Sequence, residues 1–367
     1  MISFAAVNKK FADGTTAVRE LDLDVPEGQL TVLVGSSGCG KTTTLRMINR
    51  MIEATSGEVL VGGRDVRKLN ASALRKGIGY VIQQSGLFPH RTIGDNIATV
   101  PRLLGWDRGR IRDRVAELLD TVGLAQELAA KYPHQLSGGQ QQRVGVARAL
   151  AADPPILLMD EPFGAVDPVV RTLLQDELLR LQAELRKTIV FVTHDIDEAV
   201  KLGDRIAVFR TGGHLVQFAS PAELLARPAD EFVTDFLGAE RGLKLLTLTT
   251  LAEVPVEPVP TATAATTVTE ARRATDGWLL LITGQGTPLG WLHTDRLPAT
   301  GTLADAEAVP VTGLTAEATL LAALDATVSS PAGLAVRVDA DGRVTGVSSQ
   351  QRINERAARF RAQVVTP

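Results

Sequence analysis

The chain has 367 residues, enough for two or three domains, and its 44% hydrophobic and 22% charged content is that of a globular protein with a sizeable core. A net charge of −3 excludes an overall basic field that would draw it to nucleic acid, and a single cysteine, Cys39, excludes a disulfide framework and fits a reducing compartment. The longest apolar runs, ILLM and WLLLI, are strand-length, and MISFAAVNKKF lacks the apolar core of a signal peptide, so the expectation is a cytoplasmic protein with no membrane span.

Residues 1–240 mix strand-like runs, glycine turns and helical stretches, which predicts an α/β domain. The first chemical element is TVLVGSSGCGKTTTLRMI. An apolar strand, Leu30–Val34, runs into Gly35, Ser36, Ser37, Gly38, Cys39, Gly40, Lys41 and Thr42, the pattern GxxxxGK[ST] with a strand before it and a helix after it. The glycines let backbone N–H groups turn inward around phosphate oxygens, and the helix adds its positive end. Lys41 supplies a charge at the β/γ-phosphates and the Thr42 hydroxyl a ligand for Mg²⁺. Cys39 reads as a small residue of the loop and not as a nucleophile.

Further on, LSGGQQQRVGVARAL (136–150) puts a serine and two glycines directly before a helical pattern. Either an anion lies against that helix N-terminus or this is an ordinary capped helix start. In PPILLMDEP (154–162) the apolar run Ile156–Met159 reads as a buried parallel strand, with Asp160 emerging at the end where α/β ligands bind. Asp160 is placed to hold Mg²⁺, directly or through water, and Glu161 to orient and polarise an attacking water. TIVFVTHDIDEA repeats the arrangement, with the strand Ile189–Thr193 ending in His194. A lone histidine is usually structural, but at this rim a γ-phosphate contact is the stronger reading.

From about Leu251 the composition changes. AEVPVEPVPTATAATTVTE is rich in Pro, Ala and Thr and reads as a linker or lead-in to a second domain, covering 241–276. Beyond it, GWLLLITGQGTPLGWLHTDRL (277–297) aligns without gaps on GLAVRVDADGRVTGVSSQQRI (333–353), with Gly277, Gly286, Gly290 and Arg296 matching Gly333, Gly342, Gly346 and Arg352. Both copies read strand, glycine turn, strand, each preceded by an Ala/Thr-rich stretch of helical character. The C-terminus, 354–367, reads as a basic tail whose QRINERAARFRAQ forms a short helix with Arg352, Arg356 and Arg359 on one face.

These motifs, in this order and spacing, resemble the ATP-binding subunit of an ATP-binding-cassette (ABC) transporter, over residues 1 to about 240. The resemblance implies an α/β P-loop NTPase cassette, a RecA-like core with a helical subdomain at about 84–145, followed by a small α+β pair over 277–353. In the family LSGGQ is the signature loop, which caps the ATP held by the other subunit. Ser137, Gly138, Gly139 and Gln140 would therefore grip a γ-phosphate bound by the partner's loop, where small residues let backbone approach closely. ATP would be held by Gly35 through Thr42 together with Thr43, and Mg²⁺ by Thr42, Asp160 and Gln83. Gln83 in GYVIQQSGLFPH resembles the Q-loop glutamine that senses Mg²⁺ and the attacking water, with its neighbour Gln84 as the second choice. Asp167 in FGAVDP occupies the D-loop position at the dimer interface. Phe11 stands where the family puts an adenine-stacking aromatic, or is a core residue at a strand end.

The chain carries a single cassette, so the resemblance implies a homodimer with two shared sites. GLFPHRT (86–92) lies where importers receive a coupling helix from their membrane subunit, so a permease would dock near Gln83 and Phe88. An extracytoplasmic solute-binding protein would act with the complex, which lies peripherally on the cytoplasmic face of the cell membrane. YVIQQSGLFPHRTI and DEPFGAVDPVVR resemble the cassettes that drive uptake of quaternary amines: glycine betaine, choline, carnitine and relatives. The repeat resembles a degenerate pair of cystathionine-β-synthase (CBS) modules, which that subfamily often carries. Nucleotide-binding CBS modules commonly have an acid six positions after the last strand's glycine, where this chain has Arg296 and Arg352. Two alternatives stay open: an importer ATPase for another small solute such as an amino acid, and a soluble ABC ATPase acting on ribosomes or DNA. The arginine face of the tail is a candidate contact for anionic lipid, weakened by salt, or a solvated terminal helix.

Overall fold

The computed structural model describes residues 2–83, 86–164 and 166–365. The chain forms two compact units: the first runs to Leu237, and the second begins at Gly238 and takes in Leu225–Arg227.

The first unit is built on a six-stranded sheet in the order His214–Ala219, Arg205–Arg210, Leu30–Gly35, Thr188–Thr193, Ile156–Asp160, Ile78–Val81. Every neighbouring pair is parallel except the outer pair of His214–Ala219 with Arg205–Arg210. Leu30–Gly35, Thr188–Thr193 and Ile156–Asp160 are buried at every residue. A parallel strand covered on both faces needs apolar side chains on both, which is why these three read as unbroken apolar runs. A second, antiparallel sheet joins Thr16–Val25, Ile2–Lys10, Ser56–Val61 and Arg64–Asp65. Here Leu21, Leu23 and Val25 are buried while Glu20, Asp22 and Asp24 face solvent, the period of a half-buried strand. The two sheets share one core through Ile2, Leu21, Leu33, Val192 and Phe209.

Between Gln83 and Ser137 the chain is helical, with Ile93–Ile97 capped by Thr92, then Thr99–Leu103, then Arg108–Thr121 capped by Asp107. Gln84 lies outside the described residues. The turn before these helices is stapled by Asn96, fully buried. Its Oδ1 accepts from the Phe88 amide at 2.7 Å, and its Nδ2 donates to the carbonyls of Thr92, Phe88 and Arg91 at 2.9, 3.2 and 3.2 Å. Nothing in the sequence pattern singles this residue out, because its partners are main-chain atoms of a turn with no periodicity.

In the second unit the two repeat copies share one pairing scheme. Trp278–Ile282 pairs with Pro288–His293 in the register Trp278↔His293 and Leu281↔Gly290. Leu334–Val338 pairs with Val344–Ser349 in the register Leu334↔Ser349 and Arg337↔Gly346. Each pair is the other displaced by the same sequence offset, and both carry the irregularity at the same place. Gly286 and Gly342 turn the hairpins at φ +89° and +77°, a region that favours glycine. Each hairpin is flanked by a strand segment leading into the other copy: Gly290 and Trp291 pair with Pro310 and Val309, and Val347 with Glu257. A Cβ on Gly290 would meet the Val309 carbonyl at 2.5 Å, and one on Gly346 the Glu257 carbonyl at 2.4 Å, so both matched positions exclude a side chain. The preceding helices are Val268–Ala274 and Leu320–Ser329.

Two expectations change here. The Pro/Ala/Thr-rich stretch is not a linker: Leu251, Val254, Ala262 and Val268 are buried, and the segment supplies a strand and a helix of the repeat unit. Nor are residues 354–365 a free tail. They belong to the helix Gln350–Val365, whose Ile353 and Ala357 pack against Leu251, Val254, Leu320 and Ala323. Arg352, Arg356 and Arg359 do share a side of that helix, but it is not a free basic face. Arg352 is paired with Glu257 and Glu355 at 3.0 and 3.1 Å, and Arg356, its side chain 10% exposed, with Glu253 at 3.0 Å.

Candidate active site

The site grows from strand register. Val34 stands beside Thr193, and Asp160 beside Val192, so the chain leaves three adjacent strands at one level. The segments leaving those strands, Gly35–Gly40, Glu161 and His194, are gathered on one rim. Gln83 joins them from the neighbouring strand, whose Val81 pairs with Met159.

The loop after Leu30–Gly35 needs its glycines. Gly35, Gly38 and Gly40 have φ of +153°, +77° and +97°. A Cβ on Gly35 would lie 2.3 Å from the Phe209 carbonyl, and one on Gly40 2.0 Å from that of Ala17. The helix Lys41–Ile48 starts at Gly40 with no side-chain cap and no acidic residue in its first turn. Its first amides therefore have no side-chain cap, and its own first turn supplies no anion to its positive end. Lys41 is buried, its Nζ donating to the carbonyls of Gly35 and Ser36 at 2.7 and 3.0 Å. Cys39 is 1% exposed, and burial pushes its thiol above the ordinary range, so it remains the neutral thiol.

Thr42 points its hydroxyl at Asp160, donating to Oδ1 at 2.8 Å. The other carboxylate oxygen, Oδ2, faces the Arg46 guanidinium and the Tyr80 hydroxyl, each at 3.4 Å. Arg46 also donates to Tyr80 at 3.3 Å. Burial raises the Tyr80 hydroxyl, and its hydrogen bond raises Arg46. Sequence reasoning missed both residues. Arg46 had a signal, since it follows Thr42 by four positions and shares its helix face; Tyr80 had none.

Glu161 is a non-glycine residue in the left-handed region, φ +46°, held there by its amide donating to the Val192 carbonyl at 3.0 Å. Such a backbone costs about 1–2 kcal/mol and persists where the surroundings impose it. Its Oε2 accepts from the Gln83 side-chain amide at 3.1 Å and faces His194 Nδ1 at 3.3 Å. One carboxylate thus has its orientation set by two polar side chains from two other strand ends.

Thr42 and Asp160 offer two hard oxygens to a divalent cation. Among the described residues no group of three or more His, Cys, Asp or Glu is arranged to hold a metal by itself. A cation at this pair would take its other ligands from phosphate and water, the usual way for a small hard cation.

The remaining sequence candidates are not joined to this cluster. Ser137 caps the helix Gly138–Leu150, its Oγ accepting from the Gln140 amide at 3.3 Å while Gln140 Oε1 accepts from the Ser137 amide at 2.9 Å. The capped-start reading therefore holds in geometry, yet it occupies only one first-turn donor, and Gly138 is exposed. Asp167 caps the helix Pro168–Leu185 through the Val170 amide at 3.1 Å. Phe11 is 38% exposed with the Lys9 ammonium 5.0 Å from its ring centre, and is no core residue.

Comparison with known proteins gives the same outline. The family described as ABC transporter matches residues 18–164. The osmoprotectant import ATP-binding protein OsmV of Salmonella typhimurium is 50% identical over 345 residues, 92% of this chain and 90% of that protein. The glycine betaine uptake system ATP-binding protein YehX of Escherichia coli is 53% identical over 69% of this chain and 82% of its own. The glycine betaine/carnitine/choline transport ATP-binding protein OpuCA of Bacillus subtilis is 52% identical over 66% of this chain and 63% of its own length. Among solved structures, a dimeric ATP-binding cassette in a post-hydrolysis state bound to ADP and Pi covers 60% of this chain and 99% of its own, with a TM-score of 0.55 and 34% identity.

Proposed function

This chain belongs to the ATP-binding subunits of ABC transporters, and from that footing we propose that it powers import of a quaternary-amine osmoprotectant such as glycine betaine, choline, carnitine or proline betaine. The observation that carries the solute class is the 50% identity to an osmoprotectant import subunit along 92% of the chain, second unit included. Similarity confined to the cassette would say little about solute, since the cassette does not touch it.

The catalytic reading rests on the Gln83–Glu161–His194 triangle. Glu161 polarises water for in-line attack on the γ-phosphate, with Gln83 and His194 fixing its carboxylate and His194 also within reach of the phosphate. Gly35 through Thr43 cradle the phosphates, and Lys41 offers its ammonium to the β- and γ-oxygens. Thr42 and Asp160, with Gln83 as a further ligand from the neighbouring strand end, would hold Mg²⁺, which would neutralise charge on the transferred phosphoryl group. Arg46 and Tyr80 position Asp160 from behind.

Ser137–Gln140, Asp167 and Phe11 stand apart from this cluster in one chain. That separation, with the dimeric cassette among its structural relatives, supports a homodimer in which the signature loop of one copy closes on the nucleotide of the other. The permease reading is supported by a cavity of about 350 Å³ lined by Met51, Tyr80, Phe88 and Val100, with Met51 and Phe88 55% and 39% exposed. No helix of the described residues is long and apolar enough to cross a membrane, so the subunit would sit peripherally on the cytoplasmic face through that groove. An extracytoplasmic binding protein would deliver the solute. The repeat unit is read as a degenerate CBS-like pair, and a lipid contact would now fall to the exposed Arg359 and Arg361.

The test is reconstitution of the subunit with its permease and solute-binding protein in vesicles. ATP-driven accumulation of labelled glycine betaine or choline is expected, lost in Glu161→Gln. Accumulation of an amino acid and of no quaternary amine would move the chain to another solute class.

A further inference from the structure

The second unit contains a cavity of about 360 Å³ that the ATPase chemistry does not use. Trp278, Trp291, His293, Arg296, Asp305 and Glu307 are among its lining residues. Two of the three tryptophans of the chain therefore meet at one small space. Trp291 is 1% exposed, and its indole N–H is buried with no hydrogen-bond partner among the described residues. That N–H is closed off among Leu280, Val336, Val338 and Val347, so it is Trp278, half-buried, that offers an aromatic surface to the space. The His293 ring stands edge-on to Trp278, centres 4.9 Å apart at 82°, and its Nδ1 accepts from the Asp295 amide at 3.3 Å. Arg296, Asp305 and Glu307 are exposed at the mouth and form no ion pair among the described residues.

The other repeat copy is the control. Trp278, Trp291 and His293 correspond there to Leu334, Val347 and Ser349, and Arg352, the match of Arg296, is tied to Glu257 and Glu355. One copy has its arginine neutralised in place. The other leaves an arginine and two carboxylates, without an ion pair among the described residues, around an aromatic wall.

The complement of that arrangement is a small zwitterion. A positive end is matched by Asp305, Glu307 and the half-buried Trp278 indole, and a carboxylate end by the Arg296 guanidinium. A nucleotide would set its phosphates against two carboxylates. The volume lies at the low end of small-molecule sites, which suits a compact solute. We propose that this cavity binds a zwitterionic quaternary amine, so that the subunit carries a site for the imported solute on its own second unit. The choice of solute rests on the importer reading above.

The experiment is calorimetry on the full chain, followed also by tryptophan fluorescence, with glycine betaine, choline and adenosine monophosphate as probes. Glycine betaine is expected to saturate with a Kd on the order of 1 mM, since exposed charges each contribute little. Arg296→Ala should weaken glycine betaine by about threefold to fivefold and leave choline, which has no carboxylate, unchanged. Asp305→Asn with Glu307→Gln should weaken both amines. These are surface changes, and retained ATP binding at the cassette checks that each variant is folded. No saturable binding of any amine overturns the proposal, as does an adenosine monophosphate signal at the second unit that Arg296→Ala abolishes. Uptake of glycine betaine by the reconstituted complex without binding to this subunit sinks the cavity alone; binding without uptake of any quaternary amine sinks the importer reading alone.

Discussion

The two units use polar residues in opposite ways. In the first, charged groups at the strand ends are interlocked: Thr42 on Asp160, and Gln83 and His194 on Glu161. Those residues come from short strings, each attached to the end of a buried strand. In the second unit the polar residues of the cavity come from two hairpin strands and the loop after them, and the charges form no ion pair among the described residues. Preorganisation marks a place where a bond must be broken, because a reacting group has to be aimed before substrate arrives. An open set of charges marks at most a place where something binds.

The sharpest way to break this contrast is Glu161→Gln. The amide keeps the shape and cannot serve as a base, so ATP turnover should fall by about 10²–10⁴-fold while nucleotide affinity, carried by Lys41 and the loop, is kept. Near-normal hydrolysis in this variant would mean that the interlocked carboxylate is not the reacting one.

A second variant asks whether the first unit's order extends to its edge. Asn96→Ala strips the Phe88–Thr92 turn of four hydrogen bonds and empties a fully buried polar site, at about 1–3 kcal/mol in all because the Phe88 and Thr92 carbonyls keep backbone donors. Chemical denaturation should show a clear loss of stability. If the midpoint does not move, the staple is redundant. The reconstituted complex should also lose solute-coupled ATPase activity more than basal activity.

In the second unit the corresponding anomaly is Arg337, 5% exposed, which occupies the place of Leu281 in the other copy. Burial lowers its guanidinium from the ordinary value; it donates to Ser348 Oγ at 3.2 Å and the Val254 carbonyl at 3.4 Å, forms no ion pair among the described residues though Glu317 offsets part of the effect from further off, and its Nε is unsatisfied. Arg337→Leu should stabilise the unit by about 1–3 kcal/mol, as replacing poorly compensated buried charge often does. A lower unfolding midpoint would show that the guanidinium holds the two copies together. ATP hydrolysis by the cassette should be unchanged.

The smallest expected effect concerns Cys39. With its thiol raised by burial, the reactive thiolate is scarce at neutral pH and appears only as pH climbs past the ordinary cysteine range. Iodoacetamide labelling should therefore be slow at pH 7 and faster in the unfolded chain. Rapid labelling of the folded protein would mean that the loop opens readily.

Much of the first unit was legible because Gln83, Asp160, Glu161 and His194 sit at or just past a strand end and the loop Gly35–Thr42 follows one directly. The strands expected at Leu30–Val34, Ile156–Met159 and Ile189–Thr193 appear at Leu30–Gly35, Ile156–Asp160 and Thr188–Thr193. Arg46, Tyr80 and Asn96 were not found, since what they touch is decided by packing between segments that no local pattern relates. In the second unit the repeat was legible from its glycines, because a hairpin turn and a close strand approach each exclude a side chain at fixed positions. The stretch mistaken for a linker shows the reverse case. Pro, Ala and Thr carry little pattern, and only burial against the other segments of the second unit makes them structure.

The sequence by itself determined the phosphate loop, the carboxylates at the end of a buried strand, the signature string and the existence of two related hairpins. All of these are local: a φ that glycine favours, a strand too apolar to be anything but buried, a cap next to its helix. Only the tertiary structure decided which polar groups meet. It joined Gln83 and His194 on one oxygen of Glu161, left Phe11, Ser137 and Asp167 apart from them, tied Arg352 into ion pairs and left Arg296 at an open cavity. Such meetings depend on strand order and register between segments distant in sequence. The same arginine, six positions after the same glycine, is ion-paired in one copy and, among the described residues, not in the other, because different segments of chain return beside it.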